Sequence, residues 1–251
     1  MRIIPKKCDG CMKCVPFCSS DAIRRGEKKC SIDEDKCVEC YVCLKSGICP
    51  KEAFEEVLLE WPRILRHIFS APFAAQKGTG VIDGRGTDEM KTNDVTDRYC
   101  LGEVGFCVDV GRPGIGATFE DVEKISMAVA GVGVEFEPMN PIFQLMADST
   151  TGRLRDDIKN ERVLSCILEF KTDETQLLPV MDALKEAAGY VNTVFSVGCI
   201  SRCRSDGTVP VKELLDQAGV YYRLNGKVNV GLGRRTTESE EMTSITMRKN
   251  G

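Results

Sequence analysis

Residues 8–18 read CDGCMKCVPFC and residues 37–50 read CVECYVCLKSGICP, two runs that each set three cysteines at two-residue gaps ahead of a fourth. By position, Cys8, Cys11, Cys14 and Cys18 give C-x2-C-x2-C-x3-C, and Cys37, Cys40, Cys43 and Cys49 give C-x2-C-x2-C-x5-C, followed by Pro50. A two-residue gap lets a tight loop aim three thiolates at three iron corners of one cubane, and a more distant cysteine closes the fourth corner. Two zinc sites built from the same eight thiolates are the alternative, although zinc ribbons pair two C-x2-C units rather than repeat a triple. Nine of the chain's fourteen cysteines fall in its first forty-nine residues. The opening MRIIPKKCDG lacks the apolar core of a signal peptide and no stretch approaches a membrane span, so a cytoplasmic, reducing setting is expected. In such a setting, closely spaced thiols serve metal more often than disulfides.

The 251 residues, 42% hydrophobic and 29% charged, suit one or two globular domains. The 34 basic and 38 acidic side chains are interspersed and leave a formal charge of −4, so neither nucleic acid nor a membrane is expected as a partner. Residues 1–50 alone carry ten Lys or Arg against seven Asp or Glu, a formal +3. Two oxidised cubanes with their thiolates would bring that segment to about −1. The basic residues either offset cluster charge or are ordinary solvated surface.

The internal repeat, CDGCMKCVPFCSSDAI against CVECYVCLKSGICPKEAF, makes residues 1–54 resemble the bacterial-type ferredoxin with two [4Fe-4S] clusters. In that family the fourth cysteine of each run ligates the other cluster. The resemblance therefore implies Cys8, Cys11, Cys14 and Cys49 on one cluster and Cys37, Cys40, Cys43 and Cys18 on the second. Crossing the ligands staples the two halves of a segment too short to hold a firm core alone, so cluster binding supplies much of its folding energy. Two features depart from the family pattern: Ser19 follows Cys18 where proline is usual, and five residues, Leu44–Ile48, precede Cys49 in place of three. Cys30, in KKCSID between the runs, lacks ligand spacing and is expected as a packed free thiol on a short strand.

Beyond the runs, residues 52–69 set apolar side chains at helical intervals, with Pro62 starting a second segment. Trp61, Ile64, Leu65, Ile68 and Phe69 fit one face that joins the cysteine-rich unit to the remainder of the chain. His67, the chain's only histidine, is expected as an exposed or hydrogen-bonded interface residue rather than a ligand. Residues 76–98 are polar and glycine-rich, consistent equally with a linker and with an anion- or partner-docking loop.

From there the pattern predicts strand 103–110, helix 118–130, strand 133–137, strand 163–171, helix 174–188 and strand 191–200. That order is βαββαβ, an α/β plait. It resembles ACT-like regulatory domains in this coarse order alone. A helix over 211–218 and a hairpin around Asn225-Gly226 extend it. GRPGIGATFEDVEKI (111–125) predicts a turn and a helix capped by Thr118, with Asp121 three residues on, and matches no nucleotide-binding glycine motif. Cys107 and Cys166 are expected in the core, while Cys199 and Cys203, near a strand end, remain open as functional thiols.

The fold class expected is α+β: 1–54 a 2[4Fe-4S] ferredoxin domain, 55–98 a helical joint and polar loop, 99–232 the plait, 233–251 a polar tail. The function expected is electron transfer, one electron per cluster, to or from a partner oxidoreductase, in an anaerobic setting that follows from cluster chemistry. The alternatives are an iron–sulfur subunit of a reductase that binds substrate on the C-terminal domain, and a redox- or ligand-responsive regulator. No flavin, nicotinamide or molybdenum motif marks a complete enzyme, and no catalytic residue is identified. An open sheet face would permit a homo-oligomer through the plait; a closing helix layer fits the same sequence.

Overall fold

The computed structural model of the chain describes residues 1–71, 98–112 and 114–223. The expected polar loop, apart from Arg98, the hairpin at 225–226 and the polar tail lie outside the described residues. Among those described, no helix is long and apolar enough to cross a membrane.

The cysteine-rich segment is built from short pieces. Strand β1 (Arg2–Ile3) pairs antiparallel with β4 (Phe54–Glu55), and β2 (Ile23–Arg25) pairs antiparallel with β3 (Cys30–Ile32). A 3-10 turn at Val15–Phe17 and the one-turn helix α1 (Val42–Lys45) lie between them. Its small core gathers Met1, Cys14, Ala22, Ile23, Cys30, Cys37, Tyr41 and Phe54. The helical reading of 52–69 fails over its first half. Phe54–Glu55 is a strand because Arg2–Ile3 offers it a backbone partner, and helix α2 begins only at Ile64 and runs to Ser70. Local periodicity gave way to a long-range pairing.

The rest is the plait. Strands β5 (Glu103–Val110), β7 (Glu135–Phe136), β11 (Cys166–Asp173) and β12 (Phe195–Ser201) form an antiparallel sheet in the order β12-β5-β11-β7. Between them lie helices α3 (Phe119–Ala130) and α4 (Leu177–Ala187), so the sequence runs βαββαβ. Alternation sends Val104, Phe106, Val108 and Val110 of β5 to one face, in register with Cys166, Leu168 and Phe170 of β11. The helices answer with Phe119, Val122, Ile125 and Val129 from α3 and Leu177, Val180, Leu184 and Ala187 from α4, all buried. Thr118 caps α3 as its sequence predicts: its hydroxyl accepts from the Asp121 N–H at 3.2 Å and donates to Asp121 Oδ2 at 2.8 Å.

Several boundaries differ from expectation. The second plait strand is only Glu135–Phe136, and the expected 163–171 strand is two pieces. β10 (Arg162–Val163) pairs with β6 (Ala117–Thr118), and the chain turns at Leu164–Ser165 before β11 joins the main sheet. Helix α4 starts after a 3-10 turn at Glu174–Gln176, and β12 starts at Phe195. Residues 138–165 form an insertion containing the hairpin β8 (Met146–Asp148) and β9 (Arg153–Leu154). It covers the polar side of α3: Ser126 Oγ donates to the Gly152 carbonyl at 2.5 Å, and Glu123 accepts from the Leu154 N–H at 3.1 Å. The added helix α5 spans Pro210–Gln217. In 111–116, a Cβ at Gly111 would meet the Leu164 carbonyl at 2.8 Å and one at Gly116 the Val163 carbonyl at 2.8 Å. Those two glycines serve a close backbone approach to the β10 segment.

Candidate metal centres

The three-cysteine loops turn through backbone conformations that leave side chains pointing inward. Met12 (φ 62°), Glu39 (φ 53°) and Tyr41 (φ 59°), each between cysteines of a run, are left-handed. Gly10 (φ 73°) brings the first loop so close to the β2–β3 turn that a Cβ there would stand 2.4 Å from the Lys28 carbonyl oxygen.

Two cavities result. One, of about 330 Å³ counting the space at its mouth, is lined by Cys37, Cys40, Cys43 and Cys18, with Ile23, Ile32 and Tyr41 among its apolar walls. The other, of about 280 Å³, is lined by Cys8, Cys11, Cys14 and Cys49, together with Cys30, Met12 and Phe54. Each cavity thus gathers the three closely spaced cysteines of one run and the last cysteine of the other. All fourteen cysteines are free thiols. Among the described residues, no three His, Cys, Asp or Glu side chains converge tightly enough to chelate a single ion.

Backbone amides aim at several of these sulfurs. Ala22 N–H donates to Cys18 Sγ at 3.1 Å, Ala53 N–H to Cys49 Sγ at 3.3 Å and Cys30 N–H to Cys8 Sγ at 3.4 Å, while Ser19 Oγ and Cys40 Sγ are hydrogen-bonded at 3.4 Å. Donors to a thiolate stabilise its negative charge and so tune a bound cluster. Burial acts the other way on the unligated thiols: it pushes Cys14 and Cys43 up to about 12 and Cys37 up to about 11.

The wall of the cavity around Cys37 continues into a buried polar joint that sequence reasoning missed. Glu39, between Cys37 and Cys40, is fully buried and accepts from the Met1 ammonium at 2.5 Å and from Arg63 Nη2 at 2.7 Å and Nε at 3.0 Å. Arg66 of α2 donates through Nη1 to the carbonyls of Glu34 (2.8 Å), Asp35 (3.3 Å) and Cys37 (2.9 Å), and its Nε pairs with Glu161 of the insertion. His67 Nδ1 bonds the Glu39 carbonyl at 2.8 Å, and its ring lies 4.3 Å from that of Tyr41, in agreement with the expected interface role. Burial, and next the Glu39 charge, push the Tyr41 hydroxyl up to about 12. On its other face α2 gives Leu65, Ile68 and Phe69 to the plait core. Trp61 stands apart from that face: it is partly exposed, donates to Asp157 Oδ2 at 2.6 Å and carries the Arg155 guanidinium 4.7 Å over its ring. A signal for Arg66 was present as a single cation inside the apolar run ILRHIF.

The remaining cysteines do not join these cavities. Cys166 is core, as expected, but Cys107 faces away from the core with Glu169 and sits 3.5 Å from Glu169 Oε1, because strand alternation puts it opposite Phe106. Cys199 packs against the plait core, where burial pushes its thiol up to about 12, and Cys203 is exposed beyond the end of β12.

The chain is α+β, and two short matches to known proteins support a ferredoxin-like iron–sulfur segment in its N-terminal part. Over 48 residues, 19% of this chain, it is 44% identical to a subunit of the ion-translocating oxidoreductase complex of Methanosarcina acetivorans, of which the match covers 17%. Over 49 residues, 20% of this chain, it is 39% identical to ferredoxin YfhL of Escherichia coli, of which the match covers 57%. The chain therefore spans less than two thirds of either relative. These likenesses support an iron–sulfur electron-transfer role at a coarse level. No protein-family model matches the chain, and no solved structure matches it.

Proposed function

We propose that residues 1–54 bind two [4Fe-4S] clusters, one on Cys8, Cys11, Cys14 and Cys49 and one on Cys37, Cys40, Cys43 and Cys18, and that the chain relays single electrons to or from a partner oxidoreductase. The observation that carries this reading is the crossing of the two cysteine runs: each cavity takes three sulfurs from one run and one from the other. Bound there, a cluster supplies reversible one-electron chemistry. The chain's own part is to hold the irons through eight thiolates, to offer N–H donors to Cys8, Cys18 and Cys49, and to limit water around the buried sulfurs of Cys14 and Cys37. A partner is supported by the name of one relative, a subunit of an oxidoreductase complex. In this reading residues 55–98 are the joint and loop, and 99–232 form the plait that presents the electron-transfer unit to that partner, with a polar tail from 233.

The test is anaerobic purification of the full chain, iron and acid-labile sulfide analysis, and a redox titration followed by electron paramagnetic resonance. About eight irons with matching sulfide and reversible reduction at several hundred millivolts negative are expected. Zinc without sulfide would refute the reading.

A further inference from the structure

One of the two cavities opens on a basic rim. Cys11, which lines it with Cys8, Cys14 and Cys49, is exposed, whereas every cysteine around the other cavity is at least partly covered. Lys13 lies between two of the lining cysteines, Lys6 and Lys7 lead into Cys8, and Lys51 follows Cys49 by two residues. Lys28 and Lys29 join them across space, because Gly10 lets the first loop close onto the Lys28 carbonyl and Lys29 Nζ donates to the Pro5 carbonyl. All six lysines are exposed, and among the described residues none of them forms an ion pair. Asp9, Glu27 and Glu52 are the acidic residues of segments 6–14, 27–30 and 49–53, so six lysines against three carboxylates leave the rim a formal +3. Asp9 is turned to its own loop, where it accepts from the Cys11 N–H at 3.1 Å.

The border of the other cavity has the opposite character. Arg24 is paired with Asp33, Arg63 and the Met1 ammonium are paired with Glu39, and Asp21, Glu34 and Asp35 carry exposed or solvent-facing acid groups in segments that reach it. That cavity also adjoins the plait, through the Cys37 carbonyl and Arg66. The basic excess is therefore local, in a chain whose formal charge is −4. Exposed cations without partners repel one another and gain when a surface of opposite sign approaches. Resting on the cluster-binding reading above, we propose that this rim is the docking face for the electron-transfer partner, a redox protein with an acidic surface around its own one-electron group. One electron passes between that group and the centre on Cys8, Cys11, Cys14 and Cys49. One side is oxidised as the other is reduced, and no bond or proton is exchanged.

The experiment uses the full chain, purified without oxygen and with its iron content measured. It compares wild type, a rim variant (Lys13→Glu, Lys28→Glu, Lys51→Glu) and a control variant of the same net charge (Lys36→Glu, Lys45→Glu, Lys185→Glu). Binding is read on oxidised protein by the fluorescence anisotropy of dye-labelled poly-L-glutamate. The rim variant should bind about tenfold more weakly than the control, and wild-type binding should weaken several-fold as salt rises from about 0.02 M to about 0.3 M. Electron exchange is read by stopped-flow oxidation of the reduced protein with cobalt(III)–EDTA, an anion, and with hexaamminecobalt(III), a cation. Relative to the control, the rim substitutions should slow the anion by about tenfold and should not slow the cation. Equal behaviour of rim and control variants in either assay overturns the proposal. Double-stranded DNA binding more tightly than polyglutamate overturns it too, since the rim would then be a nucleic-acid site. Should charge reversal lower the iron content, Lys13→Gln, Lys28→Gln and Lys51→Gln together repeat the comparison, and undiminished polyglutamate binding there refutes it. A wild type without iron and sulfide would instead refute the cluster reading while the polyglutamate result stays readable, so the two failures are distinct.

Discussion

Replacing Arg66 by alanine tests whether the joint between the cysteine-rich segment and the plait is held by buried charge. Arg66 is buried, its Nη1 serves three carbonyls of the 34–37 backbone, and its Nε pairs with Glu161, which is itself largely covered. Removing one partner of a buried ion pair costs about 3–5 kcal/mol, because the remaining charge stays in a poorly solvated site. Each buried carbonyl left without a donor adds about 1–3 kcal/mol where water cannot reach it. A net loss of about 3–5 kcal/mol is expected, a large part of the roughly 5–15 kcal/mol that holds a typical domain. The loss is directional, since one of the orphaned carbonyls belongs to Cys37. Anaerobic unfolding in denaturant, followed in parallel by far-ultraviolet circular dichroism and by cluster absorbance, should show the absorbance leaving first and at lower denaturant than in the wild type. Arg66→Lys, which keeps a cation for Glu161 but not the planar fork, should fall between the two. A change under about 1 kcal/mol, the range of solvated surface pairs, would refute the reasoning.

Gly10→Ala forces a Cβ to 2.4 Å from the Lys28 carbonyl at a φ of +73°, so the first loop must move off β3; iron content should fall by about half, and full loading would show that the loop tolerates the shift. The raised thiols of Cys14, Cys37 and Cys43 are protonated at neutral pH and must lose those protons to bind iron. Loading should therefore strengthen as pH rises from about 6 to 9 and weaken on acidification, measured as reconstitution yield at fixed iron and sulfide, with a flat profile counting against it. Thr118→Ala removes the hydroxyl that accepts from the Asp121 N–H and should cost about 1 kcal/mol, lowering the plait's thermal midpoint by about 2–4 °C in calorimetry while leaving iron content unchanged.

Much of the fold was legible because its signals are local. The 3.6-residue spacing of Phe119, Val122, Ile125 and Val129 and the alternation of Val104, Phe106, Val108 and Val110 specify a helix and a strand without reference to the rest of the chain. The order of such elements then restricts the connection to a plait. What failed did so where a partner distant in sequence decides the conformation. Phe54–Glu55 is extended because Arg2–Ile3 lies beside it, and Val163 leaves β11 because Ala117 pairs with it in a separate ladder. Cys107 departs from its expected core position for a related reason: an apolar stretch names a strand but not which alternate residues face the helices.

The candidate centres divide along the same line. Eight cysteines are marked out by their fixed gaps, and they line two cavities. The residues that anchor those cavities to the plait carry no such mark. Glu39 sits in the acidic stretch DEDKCVEC, where a carboxylate looks like solvated surface, yet its charge is buried and matched by Arg63, twenty-four residues away. Arg66 answers Glu161, ninety-five residues on. Composition along the chain cannot distinguish a carboxylate that faces water from one that faces a guanidinium, because both are charged and both look ordinary alone. The difference lies in desolvation, which folding creates: a buried charge is tolerated only with its partner in place, so Glu39 and Arg66 acquire their roles only once α2 lies between the cysteine loops and the plait core.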